Sequence, residues 1–214
     1  MLSKYRKLEC GEFIVVGVDT AAGGGDYVAG QFISKTKIDV PYVYHSKITV
    51  TDLTNKLPAI LEEIYDTTGV RPVVAYERQN GGSFEMDRLG TLNYAGKYRL
   101  FKMPNYGRIE NPDAKLWGWD TNTATRPKML SDLKEAIDKH VIRIYDKGTI
   151  EEMYSFIVNK TATSWKAQAE SGSHDDKVMA LAIAWQLFQE EQPQDNNYEV
   201  PPDDTLMFSK EGLY

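Results

Sequence analysis

Acidic residues stand at the ends of apolar stretches in three parts of the sequence. Asp19 and Glu77 each follow a short apolar run, and Asp175 and Asp176 precede apolar residues at helical spacing. Carboxylates that meet at one place repel each other and need a cation, and hard oxygen ligands suit Mg²⁺ or Mn²⁺. Two such ions can activate water and stabilise the leaving oxygen during phosphodiester cleavage.

Each of these acids also has a purely structural interpretation. An acid after a strand is most often a solvated turn residue, and acids in the first turn of a helix favour its dipole. Ser173 can cap the same helix, and His174 is more often a capping or surface histidine than a ligand. Only the combination of the acids favours a catalytic site.

Three consecutive glycines and Asp26 follow the first acidic position. No Gly-Lys-Ser/Thr comes after them, so the chemistry of a nucleotide-binding P-loop is excluded. Flexible backbone amides in this segment can approach a substrate phosphate, and Asp26 is a candidate acid just outside the metal ligands. A plain glycine turn between two strands is an equal alternative.

The elements that must position these residues begin as hairpins and then alternate. Hydrophobic patterning predicts strands over 13–18, 27–34, 40–48, 73–76, 98–103 and 141–145. Helices are predicted to begin at Thr51 or Asp52 and near Gly81, Pro127, Thr149 and His174. This order predicts an α/β fold with a mixed central sheet, antiparallel in its first three strands and then built of parallel β-α units, with helices on both faces.

The domain boundaries follow from local composition. We predict a lead-in over residues 1–11, one domain over 12–189 and an acidic flexible tail over 190–214. Residues 104–125 are rich in Pro, Gly, Asn and Thr and form an excursion or hairpin, and residues 160–172 form a polar loop.

The overall composition excludes several classes of protein. The 214 residues are 42% hydrophobic and 26% charged, as in ordinary globular domains, and no apolar run near the start is long enough to span a membrane. The single cysteine excludes an internal disulfide and suits a reducing cytoplasm. The three histidines are scattered, so no zinc cluster is indicated.

The net charge of −6 is unevenly distributed. Seven acids and one lysine in 190–214 carry the whole excess, whereas 97–128 holds seven bases and three acids. This basic segment suits a phosphate backbone, although a solvated face is the more ordinary explanation. Arg78 is expected near the metals or in a salt bridge. The candidate DNA-backbone contacts are Lys102, Arg108, Lys115, Arg126 and Lys128.

Several motifs, in this order, resemble the nuclease domain of the large terminase subunit of tailed bacteriophages. They read Val-Gly-Val-Asp-Thr-Ala at 16–21, Ala-Tyr-Glu-Arg at 75–78, Gly-Trp-Asp-Thr at 118–121 with Thr-Arg-Pro at 125–127, and His-Asp-Asp-Lys-Val-Met-Ala-Leu-Ala at 174–182. The resemblance covers roughly residues 12–189.

The resemblance implies a ribonuclease H-like fold and a metal-dependent endonuclease that cuts concatemeric phage DNA during genome packaging. Asp19 and Glu77 match the first two ligands of two Mg²⁺ or Mn²⁺ ions, and the third falls on Asp175 or Asp176. Helical spacing does not decide between these two. Many relatives have aspartate at the second position, and Glu77 is chemically equivalent for a hard cation. His174, with Arg78 and Asp26, is expected just outside the ligands.

The implied partners are double-stranded DNA, an ATPase motor domain, the small terminase subunit and the portal, in the host cell cytoplasm and without a membrane. The sequence lacks the Walker lysine loop of the motor, so we expect an excised nuclease domain. Apolar residues at 206–208 and 213–214 suit a tail segment that becomes ordered on the portal.

Two alternatives remain. A nucleotide-binding fragment of the actin-like or sugar-kinase type shares the strand, aspartate and glycine-rich turn, but it needs a second domain and a second phosphate motif. A non-catalytic DNA-binding module is also compatible, although all the acids are present.

Overall fold

The computed structural model describes residues 1–20, 27–103, 117–160, 165–169 and 174–194. Our predictions for residues 21–26 (including Asp26), for Arg108 and Lys115, and for the tail beyond residue 194 lie outside the described residues.

The described residues form nine strands and five helices. In chain order these are β1 (Leu2–Lys4), β2 (Ile14–Asp19), β3 (Val28–Ser34), β4 (Asp39–Ser46), α1 (Val50–Thr68), β5 (Val73–Tyr76), α2 (Gly82–Thr91), β6 (Arg99–Leu100), α3 (Thr125–Asp138), β7 (Arg143–Ile144), α4 (Lys147–Ser155), β8 (Phe156–Lys160), β9 (Trp165–Ala169) and α5 (Asp176–Glu190). None of the helices in these ranges is long and apolar enough to span a membrane.

The central sheet has the strand order β1-β4-β3-β2-β5-β6, and β7 pairs with β4. The pairs β2–β3 and β3–β4 are antiparallel, whereas β5 runs parallel to β2 and β6 parallel to β5. The predicted mixed sheet is therefore confirmed. The lead-in contributes β1, which pairs antiparallel with β4 and was not predicted.

Side-chain alternation along β2 divides the interior into two cores. Val15 packs in a core with α3 and α5 on one face of the sheet, whereas Val16 and Val18 pack with α1 and α2 on the other. Residues two apart on a strand share a face, so Gly17 and Asp19 lie on the α5 side with Val15. The predicted helices on both faces are thus present.

The predicted start of α1 was wrong by two or three residues. Its N-cap is Thr49, whose hydroxyl accepts the Asp52 N–H at 3.1 Å, and the Asp52 carboxylate accepts the Thr49 N–H at 3.3 Å. This reciprocal pair is a capping box, in which the capping residue lies three positions before the acid. The predicted caps therefore lie inside the helix.

The region after α4 also differs from prediction. The helix predicted to begin near Thr149 spans Lys147–Ser155. The predicted polar loop contains the second strand of a two-stranded antiparallel sheet formed by β8 and β9. The run Phe-Ile-Val at 156–158 favours a strand, because β-branched and aromatic residues fit a pleated backbone.

Helix α5 lies directly on β2 at Gly17. A Cβ atom at this position would stand 2.3 Å from the Ala180 carbonyl oxygen and 2.3 Å from the Ala184 nitrogen. Both of those atoms belong to the helix backbone, so a flexible side chain cannot move aside to make room. The absence of a side chain at Gly17 therefore sets how closely α5 approaches the sheet.

We predict that Gly17→Ala destabilises the protein by about 3 kcal/mol, because the new methyl group must push α5 away from β2. The matched control is Gly30→Ala on β3, where the Cβ would meet ordinary contacts of 3.4–3.8 Å. Chemical denaturation should show a loss of about 1 kcal/mol or less for this control. Equal stabilities of the two variants would contradict the role assigned to Gly17.

Candidate functional site

Two neighbouring parallel strands bring Asp19 and Glu77 together. Val18 pairs with Tyr76 across β2 and β5, and the Glu77 N–H donates to the Val18 carbonyl at 2.8 Å. Both acids are only 7% exposed, and their carboxyl groups lie close enough for the charge of Glu77 to disfavour ionisation of Asp19.

The first residue of α5 adds a third acid to this pair. Asp176 is 8% exposed, and its charge disfavours ionisation of Asp19 more than the charge of Asp175 does. Asp175 is about one-third exposed, and its Oδ2 lies 3.0 Å from Nη2 of Arg126 at the start of α3. The two adjacent aspartates therefore have different surroundings, which helical spacing alone did not distinguish.

Burial and like charge dominate the electrostatics of the site. Burial raises the pKa of Asp19 well above its ordinary value, and the neighbouring charges of Glu77, Asp176 and Asp175 raise it further. A cation among these oxygen atoms would relieve both effects, and oxygen ligands suit Mg²⁺ or Mn²⁺. The chemistry of these residues therefore fits a divalent ion.

The acids are not arranged around a preformed ion site. Within the described ranges, no three acidic, histidine or cysteine side chains converge at the spacing of metal ligands.

His174 and Arg78 lie beside the acids. His174 is half exposed, its Nδ1 is 3.6 Å from Oδ2 of Asp176, and its ring meets the Tyr27 ring edge-on at 5.4 Å between centroids. Arg78 directly follows Glu77; its N–H donates to the Trp119 carbonyl at 2.8 Å, and its side chain passes over Gly118.

The described bases of the predicted DNA-binding set have different environments. Lys102 is exposed, and its backbone forms an isolated antiparallel bridge with that of Trp117. Lys128 is exposed on α3 and forms an ion pair of 2.7 Å with Asp132. Arg126 forms an ion pair of 3.0 Å with Asp175, one of the acids at the start of α5.

A tight turn after Glu77 was missed by the sequence analysis. The Thr20 hydroxyl donates to the Gln79 carbonyl at 3.1 Å, which joins the end of β2 to this turn. A Cβ at Gly82 would stand 1.7 Å from the Glu77 carbonyl oxygen, so the first turn of α2 packs on the backbone of the acid itself. The Gly-Gly pair at 81–82 is the sequence feature from which this turn could have been predicted.

Glu152 and Lys177 were also missed, because no sequence spacing connects them. Their carboxylate and ammonium groups lie 3.4 Å apart between α4 and the first turn of α5. Burial raises the pKa of Glu152, and the positive charge of Lys177 opposes this shift.

Similarity to known proteins is found at the level of structure. The sequence matches no protein-family model and no curated protein. The large terminase nuclease domain of Thermus phage P74-26 superposes with a TM-score of 0.61 at 18% identity, over 89% of this chain and 85% of that chain. The large terminase nuclease of thermophilic phage G20c with bound magnesium gives 0.61 at 18% identity, over 86% and 84%.

A viral protein from another host group has a similar fold. The human cytomegalovirus terminase nuclease domain, soaked with manganese, gives a TM-score of 0.52 at 16% identity over 83% of each chain. At these identities the likeness establishes the fold. This chain has the fold of the large terminase nuclease domains, so the predicted fold class is confirmed.

We predict that Asp19→Asn raises the melting temperature of the metal-free protein at pH 7. The raised pKa of Asp19 means that its ionisation costs more in the folded chain than in the unfolded chain. This cost appears as pH rises above the ordinary aspartate pKa, and it vanishes where the group is protonated in both states. Each kcal/mol removed should add about 2–4 °C in a domain of this size.

Thermal unfolding at pH 7 and near pH 4.5 measures this effect, with a larger gain expected at pH 7. The matched control is Asp87→Asn, which removes one negative charge from an exposed position on α2. Equal melting temperatures for the two variants at both pH values would contradict the electrostatic cost assigned to Asp19.

Proposed function

We propose that this protein is a metal-dependent DNA endonuclease, the nuclease domain of a large terminase that cuts concatemeric phage DNA during genome packaging. The placement of Asp19 and Glu77 at the ends of two parallel strands, with Asp176 at the start of a helix where its charge acts on Asp19, carries this proposal. The fold shared with terminase nucleases, some solved with magnesium or manganese, supports it.

The proposed ligands of two Mg²⁺ or Mn²⁺ ions are Asp19, Glu77 and Asp176. We infer that Asp176 is the third ligand because it is buried beside Asp19, whereas Asp175 is engaged by Arg126. When bound, the ions supply an activated water molecule and stabilise the charge that develops on the leaving oxygen. Asp175 and His174 flank the ligands, and Arg126 limits the movement of Asp175.

The proposed DNA surface combines the described bases Lys102, Arg126 and Lys128 with Arg108 and Lys115, which lie outside the described residues. Positive side chains bind the phosphate backbone and carry little sequence information, so we expect little base preference. Arg78 and Asp26 remain proposed neighbours of the metals.

The wider partners follow from the same proposal. A terminase nuclease works on double-stranded DNA together with an ATPase motor domain, the small terminase subunit and the portal. We therefore propose the host cell cytoplasm as its location and the portal as the partner of the tail over 190–214.

We predict that Mg²⁺ or Mn²⁺ supports nicking or cutting of plasmid DNA and that EDTA stops it. Asp19→Asn, Glu77→Gln and Asp176→Asn should each lower the cleavage rate at least about 100-fold, because each removes a charged ligand. Asp175→Asn should have a partial effect, and Asp87→Asn should cleave at the wild-type rate. Gel analysis of supercoiled, nicked and linear DNA measures all of these rates.

Cleavage in EDTA would contradict the metal mechanism, and full activity of both Asp19→Asn and Glu77→Gln would contradict the site. DNA binding that does not respond to metal would favour the non-catalytic module. ATP binding without DNA cleavage would favour the actin-like alternative.

We predict that DNA affinity falls steeply with salt. Each phosphate contact contributes about −0.9 to the slope of log affinity against log salt. Lys102→Glu and Lys128→Glu each remove one contact and should therefore flatten the slope by about 0.9. The matched control is Lys134→Glu, at an exposed position on α3 where the lysine pairs with Asp138. Fluorescence anisotropy with the Asp19→Asn protein measures binding without cleavage.

If DNA affinity did not depend on salt, the basic segment over 97–128 would have no role in DNA binding. The same conclusion would follow if Lys134→Glu changed the slope as much as the other two variants do.

A further inference from the structure

The first turn of α5 is capped by a residue from another helix. The cap residue of α5, Asp175, makes no capping hydrogen bond with its own side chain. The N–H groups of a first helical turn need acceptors from outside the helix. Oε2 of Glu152, on α4, accepts the Lys177 N–H at 2.8 Å.

The same carboxylate also binds the side chain of the residue that it caps. Nζ of Lys177 lies 3.4 Å from Oε1 of Glu152 and 3.9 Å from Oδ2 of Asp146, and all three side chains are 12–14% exposed. Asp146 in turn caps α4, accepting the Thr149 N–H at 2.6 Å and the Thr149 hydroxyl at 2.7 Å. The starts of α4 and α5 therefore belong to one polar network.

The central sheet anchors this network. Gln31 on β3 is fully buried, and its amide donates to the Thr149 hydroxyl at 2.8 Å and to the Lys177 carbonyl at 3.3 Å. Gln31 lies opposite Gly17 in the β2–β3 register, two residues from the pair that contains Asp19. The network thus connects the turn that carries Asp176 to the strands that carry the site.

We propose that Glu152 is a positioning residue, which caps α5 from α4 and holds the turn of Asp176 beside Asp19 and Glu77 for a divalent cation. The cation binding in this inference rests on the function proposed above, whereas the cap is independent of that function. The need for such a support follows from charge, because three adjacent carboxylates repel each other. Lys177 follows Asp176 in the chain, and its ammonium group pairs with Glu152.

Removal of the cap has two consequences. The Lys177 N–H loses its acceptor, which loosens the first turn, and Lys177 loses its nearest carboxylate. The turn then has to be ordered when the cation binds, and this ordering weakens binding. Residues that orient metal ligands typically change metal affinity about 10–100-fold when they are mutated.

The test compares Glu152→Ala, which removes the acceptor, with Glu152→Gln, which keeps a neutral acceptor. In the full chain without metal, amide hydrogen exchange at Lys177 should become at least about 10-fold faster in Glu152→Ala, with Ala182 and Ala184 unchanged. Calorimetry should show that Mn²⁺ binds about 10–100-fold more weakly to Glu152→Ala and less weakly to Glu152→Gln.

Two control variants separate this role from general effects. Glu151→Ala removes an exposed carboxylate next to Glu152 on α4, and Ile64→Val removes one methyl group from the core on the other face of the sheet. Both should bind Mn²⁺ as the wild type does. A similar loss of affinity in either control would overturn the positioning role.

The remaining outcomes are distinct. If the wild type binds Mn²⁺ and Glu152→Ala binds it equally well, this inference is overturned and the proposed function is not affected. A loss of affinity with unchanged exchange at Lys177 also overturns it, because the cap would not be the cause. If the wild-type chain binds no Mn²⁺ and cuts no DNA, the proposed function and this inference fail together.

Discussion

The contact between α5 and β2 is the constraint on which the rest of the molecule depends. The helix backbone touches the strand where Gly17 has no side chain, and Ala180 and Ala184 supply the opposite surface. This close approach fixes α5 along and across the central strand. Its first turn therefore reaches the end of β2, where Asp19 lies. A larger residue at Gly17 would separate the two sources of acids.

The site concentrates negative charge that the surrounding residues only partly balance. Asp19 and Glu77 are nearly inaccessible to water, and the charges of Glu77 and of Asp176, at the start of the helix, disfavour ionisation of Asp19. Arg126 binds Asp175, and Lys177, which follows Asp176 in the chain, pairs with Glu152. The unbalanced charge lies where a divalent ion is proposed to bind.

Local patterns predicted the parts of the fold that depend on local physics. The apolar runs before Asp19 and Glu77 are buried strands, and their parallel pairing follows from the helix between them. The different surroundings of Asp175 and Asp176 were not predictable, because they depend on Arg126, which lies on another helix. Glu152 was missed because its contacts with Lys177 also join two different helices. The Thr49 cap was different, since its capping box is local and was simply overlooked.

The acids come from distant parts of the chain, and this separation has a consequence for synthesis on the ribosome. Asp19 and Glu77 emerge early, but Asp176 belongs to the last described helix, which also covers one face of β2. A nascent chain that has not yet released α5 lacks both that acid and the surface that buries the other two. Under the proposed function, an unfinished polypeptide would be unable to damage the DNA of the cell that makes it.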